Sequence, residues 1–344
     1  MSSNEKDASE IKLKSKISKT ELKRQKVLLI IAALYVIYGI VFYYLPLAGW
    51  IMAFENFSIG KGIFKSEKAG LRWFKYLFKK NSSFPRVIRN TLAMGSLNLV
   101  SQTITAIGFA ILLNEVRNTF GKKLVQTISY LPHFLSWIVV TSIVREAFAT
   151  NGMVNELLVN LHILKSPISY FMHTQYFWPI VAISNVWKET GWNAIIYLAT
   201  ITSIDPALYE AAAIDGAGRW QKIKNITLPG LRSTIIILLI MNIGNVINAG
   251  FEIQYLLGTG VLSPVSTTID IYVLNHGMKN FSLGTAAGIF KTFVSMIFVF
   301  TFNFIEVNIN VVIKSFICIK CGNLGSCSHF QIIKEIISYR FMFI

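Results

Sequence analysis

The chain has 344 residues, of which 53% are hydrophobic and only 15% are charged, and its mean hydropathy is +0.53. This balance argues against a soluble domain and is typical of a protein with several membrane-spanning helices. The formal net charge of +16 sits between long apolar runs, so it indicates basic loops near anionic lipid and argues against a nucleic-acid-binding protein.

The chain begins with a basic segment. Residues 1–26 carry eight Lys/Arg and little apolar content, which predicts a disordered, cytoplasmic N-terminus. The apolar run at 27–50 is followed by no small-residue cleavage site, so it predicts a retained first membrane helix and not a signal peptide. Residues 51–89 form a long connection, and its centre, residues 71–80, is predicted to lie along the membrane surface as an amphipathic helix.

Further along the chain, more apolar runs reach the roughly 20 residues that are needed to cross the hydrocarbon core. They cover residues 90–113, 125–148, 176–200, 231–249 and 285–307. The run at 90–113 also contains polar residues that predict contacts with other helices and not with lipid. These are Asn98, Ser101, Gln102, Thr103 and Thr105. The predicted fold is therefore all-α, a polytopic membrane protein with six transmembrane helices.

A polar segment joins the fourth and fifth predicted spans and reads as two short helices with a turn between them. Asp205 is predicted to cap the first helix, with Pro206 at its first position. Gly216 is predicted to end that helix in the left-handed conformation. A second helix is predicted over residues 219–227, with Pro229 stopping it.

The distribution of lysine and arginine predicts that the N-terminus is inside the cell. In that orientation the inside segments hold 15 basic residues, whereas the outside loops after the third and fifth spans hold only Lys165 and Lys279. The 51–89 connection runs against this pattern, because it would place nine basic residues outside.

The segment between the fourth and fifth spans also carries a spaced motif: E-A-A, three residues, G, nine residues, I, one residue, L-P. The matching residues are Glu210, Ala211, Ala212, Gly216, Ile226, Leu228 and Pro229. This motif resembles the signature of binding-protein-dependent ABC importer permeases. The resemblance implies that residues 205–230, here called the elbow, form a cytoplasmic pair of coupling helices that dock on an ATPase subunit, with Asp215 beside the turn glycine.

Four shorter stretches resemble the carbohydrate branch of that family, in particular permeases for oligosaccharides or polysaccharide fragments. They are residues 130–137, 187–191, 248–252 and 282–288. The resemblance covers roughly residues 27–300. It implies a permease domain at 27–307, with its core at about 90–307, in a bacterial plasma membrane.

The resemblance also implies the partners of such a chain. They are ABC ATPase subunits, a second and usually different permease subunit, an extracellular solute-binding lipoprotein, and the lipid bilayer. The sequence has no Walker A motif, so ATP is expected to be used by a separate subunit. We therefore predict no enzymatic activity, no catalytic residues and no cofactor for this chain.

A polar stripe in the fifth span predicts a substrate path. Asn242, Asn245 and Asn248 recur at helical spacing, and Glu252 is predicted to continue the same face. Interhelical hydrogen bonding explains such a stripe equally well. In the fourth span Trp187 and Lys188 are further candidates for the path. An internal ion pair with another helix explains Lys188 and Glu189 equally well. Because adjacent residues point in different directions on a helix, each of these two is expected to have a separate partner.

Other functions remain as alternatives. A permease of the same family for amino acids, peptides or another small solute shares every feature above except the carbohydrate-branch stretches. A membrane-embedded transferase is a remote alternative, because the five histidines show no acid–base or metal-ligand spacing. A purely structural scaffold would not need the matched elbow.

The C-terminal tail, residues 308–344, departs from the family, for which a short polar terminus is expected. A frameshift or divergence of the coding sequence is a hypothesis that fits this departure. Cys318, Cys321 and Cys327, with His329, have the residue types of a zinc site. We predict no metal site here, since the family that the chain resembles has none.

Overall fold

The computed structural model describes residues 25–63, 65–80 and 82–320. Of residues 1–26, for which disorder is predicted, residues 1–24 lie outside the described residues, and Lys26 begins the first helix. Cys321, Cys327 and His329 also lie outside the described residues. Within the described part most of the chain is helical, and its strands form one short antiparallel hairpin, in which β1 (Glu55–Asn56) pairs with β2 (Glu67–Lys68). The prediction of a helical polytopic protein is confirmed, and the hairpin was not predicted.

The described helices are, in chain order, α1 Lys26–Gly39, α2 Arg72–Leu77, α3 Phe84–Glu115, α4 Thr119–Tyr130, α5 Trp137–Ala147, α6 Met153–Asn160, α7 Phe177–Thr202, α8 Pro206–Ile214, α9 Arg219–Lys222, α10 Leu228–Ile243, α11 Phe251–Leu257, α12 Ser263–Ser266, α13 Ile269–Gly277 and α14 Phe281–Lys320. Short π and 3₁₀ segments extend or join several of them: Ile40–Tyr44 and Leu45–Phe54 after α1, Leu131–Phe134 after α4, Tyr170–Met172 and Thr174–Tyr176 before α7, Ile223–Thr227 before α10, Gly244–Asn248 after α10 and Gly260–Leu262 before α12.

The two central helices of the bundle are α3 and α7, and each end of the bundle has its own apolar cluster. At one end Ala110 of α3 packs with Ile201 of α7 and Leu231 of α10, next to the elbow. At the other end Phe84 packs with Tyr272 and Leu283. Burial of these side chains is the main source of the packing energy, at about 25 cal/mol per Å² of apolar surface. The elbow and the β1–β2 hairpin therefore lie at opposite ends.

Four stretches of the described chain are long and apolar enough to cross a membrane: Lys26–Phe54, Phe84–Glu115, Arg219–Leu257 and Phe281–Phe302. A bent pair of helices, Thr119–Phe134 with Trp137–Ala147, makes a fifth if it counts as one span. Helix α7 has 26 residues, which is long enough to cross the membrane. The polar residues in its middle leave it less apolar than the four. The predicted count of six is thus not established by length and composition.

The third predicted span, residues 125–148, is not one continuous helix. The chain bends by 104° between α4 and α5. Pro132 is the second residue of the 3₁₀ turn at the bend, and the side chain of Ser136 accepts a hydrogen bond from the backbone N–H of Val139 and so caps α5. A proline that lacks its N–H and a new N-cap within four residues are sufficient to end one helix and start another.

The fifth predicted span differs at both of its ends. Pro229 does not stop the second elbow helix, because the chain stays helical from Arg219 through Ile223–Thr227 into α10. A π turn, which is wider than an α-helical turn, precedes Pro229. The N–H that the proline lacks and the bulk of its ring therefore fall where the regular backbone hydrogen bonds of the helix are already interrupted. At the other end α10 stops at Ile243, and the predicted loop beyond it contains α11, α12 and α13.

Candidate functional site: a polar cavity and an exposed elbow

A cavity of about 430 Å³ lies at mid-height in the bundle. Its walls come from the middle of α3, the middle of α7, the end of α10 and the 3₁₀ segment Gly244–Asn248. The polar residues that line it are Asn98, Gln102, Thr103, Asn185, Asn193, Tyr197, Asn242, Asn245 and Asn248. The lining contains seven amides and no Asp, Glu, Lys, Arg or His. This cavity therefore offers many hydrogen-bond donors and acceptors without a fixed charge.

The break after α10 turns the amides toward the cavity. Ala249 has φ +46° and Gly250 has φ +74°, so two consecutive residues are left-handed and the helix cannot continue. The side-chain amide of Asn248 donates to Oδ1 of Asn245 at 3.1 Å. Gly95 of α3 allows the close approach of this segment, because a side chain there would collide with the backbone of Val246.

Some of the lining amides are already used inside the protein. Asn185 Nδ2 donates to Oδ1 of Asn98 at 3.3 Å, and Asn242 Nδ2 donates to the backbone oxygen of Leu238 at 2.9 Å. By contrast, the side-chain amides of Gln102 and Asn193 have no hydrogen-bond partner within the part of the chain that the structure describes. Both the donor and the acceptor of these two amides are therefore available to a ligand.

Only half of the residues predicted for the substrate path meet at the cavity. Asn242, Asn245 and Asn248 line it. Glu252 does not, because the left-handed break places it in the first turn of α11, where its side chain is exposed. The expectation that Glu252 continues the face of the asparagines was therefore wrong. Trp187 and Lys188 do not line the cavity either.

Lys188 belongs instead to a polar cluster at the bend between α4 and α5. Its Nζ donates to the backbone oxygen of His133 at 2.6 Å and lies 3.3 Å from Oε1 of Glu189. Oε2 of Glu189 lies 2.7 Å from Nδ1 of His133, whose ring stacks on Trp192. Lys188 is 4% exposed. Lys188 and Glu189 thus share their partners, contrary to the expectation of separate ones.

The sequence reasoning missed four of the amides as candidates for the path. Asn98 and Gln102 were predicted only to face other helices, and Asn185 and Asn193 were not singled out. A signal was present, since Asn98 and Gln102 are four residues apart and Asn185 and Asn193 are eight apart, so each pair lies on one helix face. Nothing in the local pattern says that the two faces meet.

The elbow has the local geometry that its sequence predicts. Oδ1 of Asp205 accepts a hydrogen bond from the N–H of Ala207 at 2.9 Å, and Gly216 has φ +76°. Two backbone hydrogen bonds, Ala217 N–H to Ala212 O and Gly216 N–H to Ala213 O, close the end of α8 as a Schellman motif. The predicted cap and the predicted left-handed glycine are confirmed.

A hydrogen bond between side chains joins the two arms of the elbow, and most residues of the elbow are exposed. The hydroxyl of Tyr209 on α8 lies 3.0 Å from Oγ1 of Thr227. Ile214 is 88% exposed and Trp220 is 72% exposed. Of the residues assigned to coupling, Ala212 and Ile226 are half-buried and the others are exposed: Glu210, Ala211, Asp215, Gly216, Leu228 and Pro229. A rigid turn that exposes large apolar side chains next to glycine has the features of a docking surface.

Comparisons with known proteins agree with these features. Residues 102–310 match the family described as "Binding-protein-dependent transport system inner membrane component". The chain is 40% identical over 287 residues to Protein LplB of Bacillus subtilis (strain 168), covering 83% of this chain and 89% of that protein. It is also 40% identical over 286 residues to the polygalacturonan/rhamnogalacturonan transport system permease protein YteP of the same strain, covering 82% and 88%.

Solved structures give the same result. The chain is similar to a chain of a bacterial ABC transporter involved in the import of the acidic polysaccharide alginate, with a TM-score of 0.75 and 35% identity, covering 83% of this chain and 96% of that one. A second structure, of the bacterial alginate ABC transporter in complex with an alginate pentasaccharide-bound periplasmic protein, matches with a TM-score of 0.76 and 35% identity, covering 84% and 97%.

The resemblance seen in the elbow motif is confirmed by these matches. The family consists of membrane components of transport systems and not of enzymes. Its members work with a solute-binding protein, as the family description states. The chain belongs to the family of binding-protein-dependent transport system inner membrane components.

Proposed function

We propose that this chain is the permease subunit of an ABC importer for oligosaccharides or polysaccharide fragments. The observation that carries the proposal is the uncharged cavity with seven amides at mid-height in the bundle. Each sugar hydroxyl that leaves water needs a donor or an acceptor, and an amide supplies both. The similarity to the polygalacturonan/rhamnogalacturonan permease and to the alginate importer supports the same class of cargo.

The absence of charge in the lining favours neutral solutes, so it separates a neutral oligosaccharide, although not an acidic one, from amino acids and peptides. An amino acid or a short peptide carries a charged amino group and a charged carboxylate. In a site without counter-charges, transfer of these groups from water costs several kcal/mol. The lining of the cavity offers no such counter-charge.

We propose six spans in this permease, with the N-terminus in the cytoplasm. They are α1 with its extension to Phe54, then α3, the bent pair α4–α5, α7, α10 and α14. Alternation then puts the elbow on the same side as the N-terminus and the β1–β2 hairpin on the opposite side. This arrangement agrees with the separation of the elbow and the hairpin to opposite ends of the bundle.

The elbow is the proposed point at which ATP-driven motion enters the membrane. Its exposed apolar residues, Ile214 and Trp220, are proposed to sit in a groove of a separate ATPase subunit, with Glu210, Ala211 and Gly216 at the contact. Because α9 continues without a loop into α10, movement of the elbow moves a wall of the cavity as a rigid body. A second permease subunit is proposed to complete the pore, and an extracellular binding protein to deliver the cargo.

Uptake by the assembled importer tests the proposed cargo. The permease, its partner permease and the ATPase are reconstituted in vesicles, and the binding protein is added with labelled neutral or acidic oligosaccharides, amino acids or peptides. We expect an oligosaccharide to accumulate in the vesicles, and this accumulation should depend on ATP and on the binding protein. Amino acids and peptides should not accumulate. Accumulation of amino acids or peptides, with none of any oligosaccharide, would overturn the proposal.

A further inference from the structure

The connection between α1 and α3 carries a dense set of exposed cations. All nine of its basic side chains are exposed: Lys61, Lys65, Lys68, Arg72, Lys75, Lys79, Lys80, Arg86 and Arg89. The connection has two carboxylates. Glu55 is buried, and Glu67 accepts a hydrogen bond from the side chain of Asn56 at 3.2 Å. The cations are therefore not neutralised within the connection, although such a cluster opposes the usual charge bias of outside loops.

The connection is fastened to the first turn of α14. The hydroxyl of Ser282 donates to the backbone oxygen of Glu55 at 2.6 Å, and the backbone N–H of Phe57 donates to the same hydroxyl at 2.9 Å. The stretch Phe281–Phe302 is apolar enough to span the membrane. The β1–β2 hairpin is thus held near the membrane boundary, at the end of the bundle that is opposite to the elbow.

Helix α2 lies deeper, along the flank of the bundle. Leu77 is fully buried, and the ring of Phe78 lies 5.4 Å from that of Phe290. Phe290 is nine residues beyond Phe281, which is about 13 Å along the helix axis. The C-terminal end of α2 is therefore level with the third turn of α14 and lies beside an apolar span.

The outer side of α2 combines apolar and cationic residues. Leu71, Tyr76 and Phe78 are exposed large apolar residues, and Lys75, Lys79 and Lys80 are exposed between and after them. None of the three lysines has an ion-pair partner among the described residues. Aromatic and aliphatic side chains that alternate with lysine at the membrane boundary are typical of surfaces that bind anionic lipid head groups.

We propose that this surface, α2 with Lys79 and Lys80, binds the phosphate head groups of anionic phospholipid, with its exposed rings in the upper acyl region. We favour lipid over an acidic saccharide because no residue of α2 lines the cavity, and over the acidic face of a soluble protein because this surface lies along an apolar span and not at the end of the bundle. The lipid contact does not depend on the proposed cargo. Its assignment to the outer leaflet rests on the orientation given under the proposed function.

Spin-labelled lipids test the proposal directly. The full chain is reconstituted in phosphatidylcholine bilayers, and electron spin resonance gives the association of labelled phosphatidylglycerol relative to labelled phosphatidylcholine. The test variant is Lys75→Gln/Lys79→Gln/Lys80→Gln. The matched control, Lys61→Gln/Lys65→Gln/Lys68→Gln, removes the same charge from the hairpin. A third variant, Lys75→Arg/Lys79→Arg/Lys80→Arg, keeps the charge and is expected to behave like the unaltered chain.

We expect the unaltered chain to prefer phosphatidylglycerol. In the α2 glutamine variant the association of phosphatidylglycerol relative to phosphatidylcholine should fall at least about threefold, because each lysine near the surface contributes to anionic lipid binding. The hairpin variant should keep the preference, and excess inorganic phosphate should not compete with the lipid. Equal loss in both glutamine variants would overturn the proposal. So would an α2 glutamine variant that keeps its lipid preference but loses stimulation by the binding protein, which would identify a soluble partner.

Discussion

Nδ1 of His133 lies 2.7 Å from Oε2 of Glu189, and this contact joins the bend between α4 and α5 to the middle of α7. Oε1 of the same carboxylate lies 3.3 Å from Nζ of Lys188. That Nζ lies over the ring of Trp137, 5.2 Å from the ring centroid. The bend is thereby fastened on both sides, because His133 precedes α5 and Trp137 begins it. A buried lysine thus has a carboxylate, a carbonyl oxygen and a ring as its partners at this point.

The first prediction concerns this cluster. Glu189→Ala leaves the ammonium of Lys188 buried without its carboxylate, and removal of one partner of a buried pair costs about 3 kcal/mol. We expect a clear fall in the melting temperature of the purified chain in detergent. Lys188→Met/Glu189→Ala should recover much of the loss, since no unpaired charge then remains. Equal melting of Glu189→Ala and the unaltered chain would show that the pair does not stabilise the bend.

The second prediction concerns the close contact of Gly95 with the segment after α10. Gly95→Ala places a methyl group against the backbone of Val246, and such overpacking costs about 1–3 kcal/mol. Gly108 is the matched control, since it lies in the same helix and a Cβ there meets nothing within 4 Å. Gly108→Ala should stabilise the helix by up to about 1 kcal/mol. The melting temperatures of the two variants should therefore shift in opposite directions relative to the unaltered chain. A shift of the same sign in both would contradict the close contact of Gly95 with Val246.

The third prediction separates amides that bind cargo from amides that bind the protein. Gln102 and Asn193 have side chains without internal partners, so Gln102→Leu and Asn193→Leu should raise the KM for uptake about tenfold while melting stays near that of the unaltered chain. Asn98 is buried and accepts from Asn185, so Asn98→Leu should lower the melting temperature, since the Asn185 amide loses one of its two acceptors. Uptake and melting are measured on the same preparations. Unchanged uptake in both Gln102→Leu and Asn193→Leu would argue against the cavity as the sugar path.

The fourth prediction concerns the turn of the elbow. Gly216→Pro forces φ near −65° where the chain has +76°, and it removes the N–H that donates to Ala213. We expect normal insertion into the membrane and loss of ATPase stimulation by the binding protein in the assembled importer. Gly216→Asn is the control, because asparagine tolerates the left-handed conformation and a Cβ there meets nothing within 4 Å.

The two elbow variants must differ if the elbow transmits the motion. Normal stimulation in Gly216→Pro would refute the docking role. Loss of stimulation in both variants would mean that any side chain at Gly216 blocks the ATPase, in which case the surface and not the backbone turn is the critical feature. Membrane insertion of each variant is checked by protease protection of the loops before ATPase activity is measured.

Much of this protein was readable from local patterns. The helical class, the cap at Asp205 and the left-handed Gly216 depend on residues within one or two turns of each other, so the linear order of residues contains them. The family is readable for the same reason, because its motif lies within 20 consecutive residues, from Glu210 to Pro229. The continuation of the helix through Pro229 was missed, since a π turn absorbs the proline and no local signal announces it.

The tertiary structure decided which polar residues meet. Asn98 and Asn185 are 87 residues apart, and only the packing of α3 against α7 brings their amides together. The partners of Lys188 were equally out of reach, because the bend that carries His133 to α7 depends on contacts between helices. Glu252 left the row of asparagines because Ala249 is held left-handed by its buried surroundings, against its intrinsic preference. Local chemistry determines helices and turns, whereas the shape of a cavity depends on contacts that are distant in sequence.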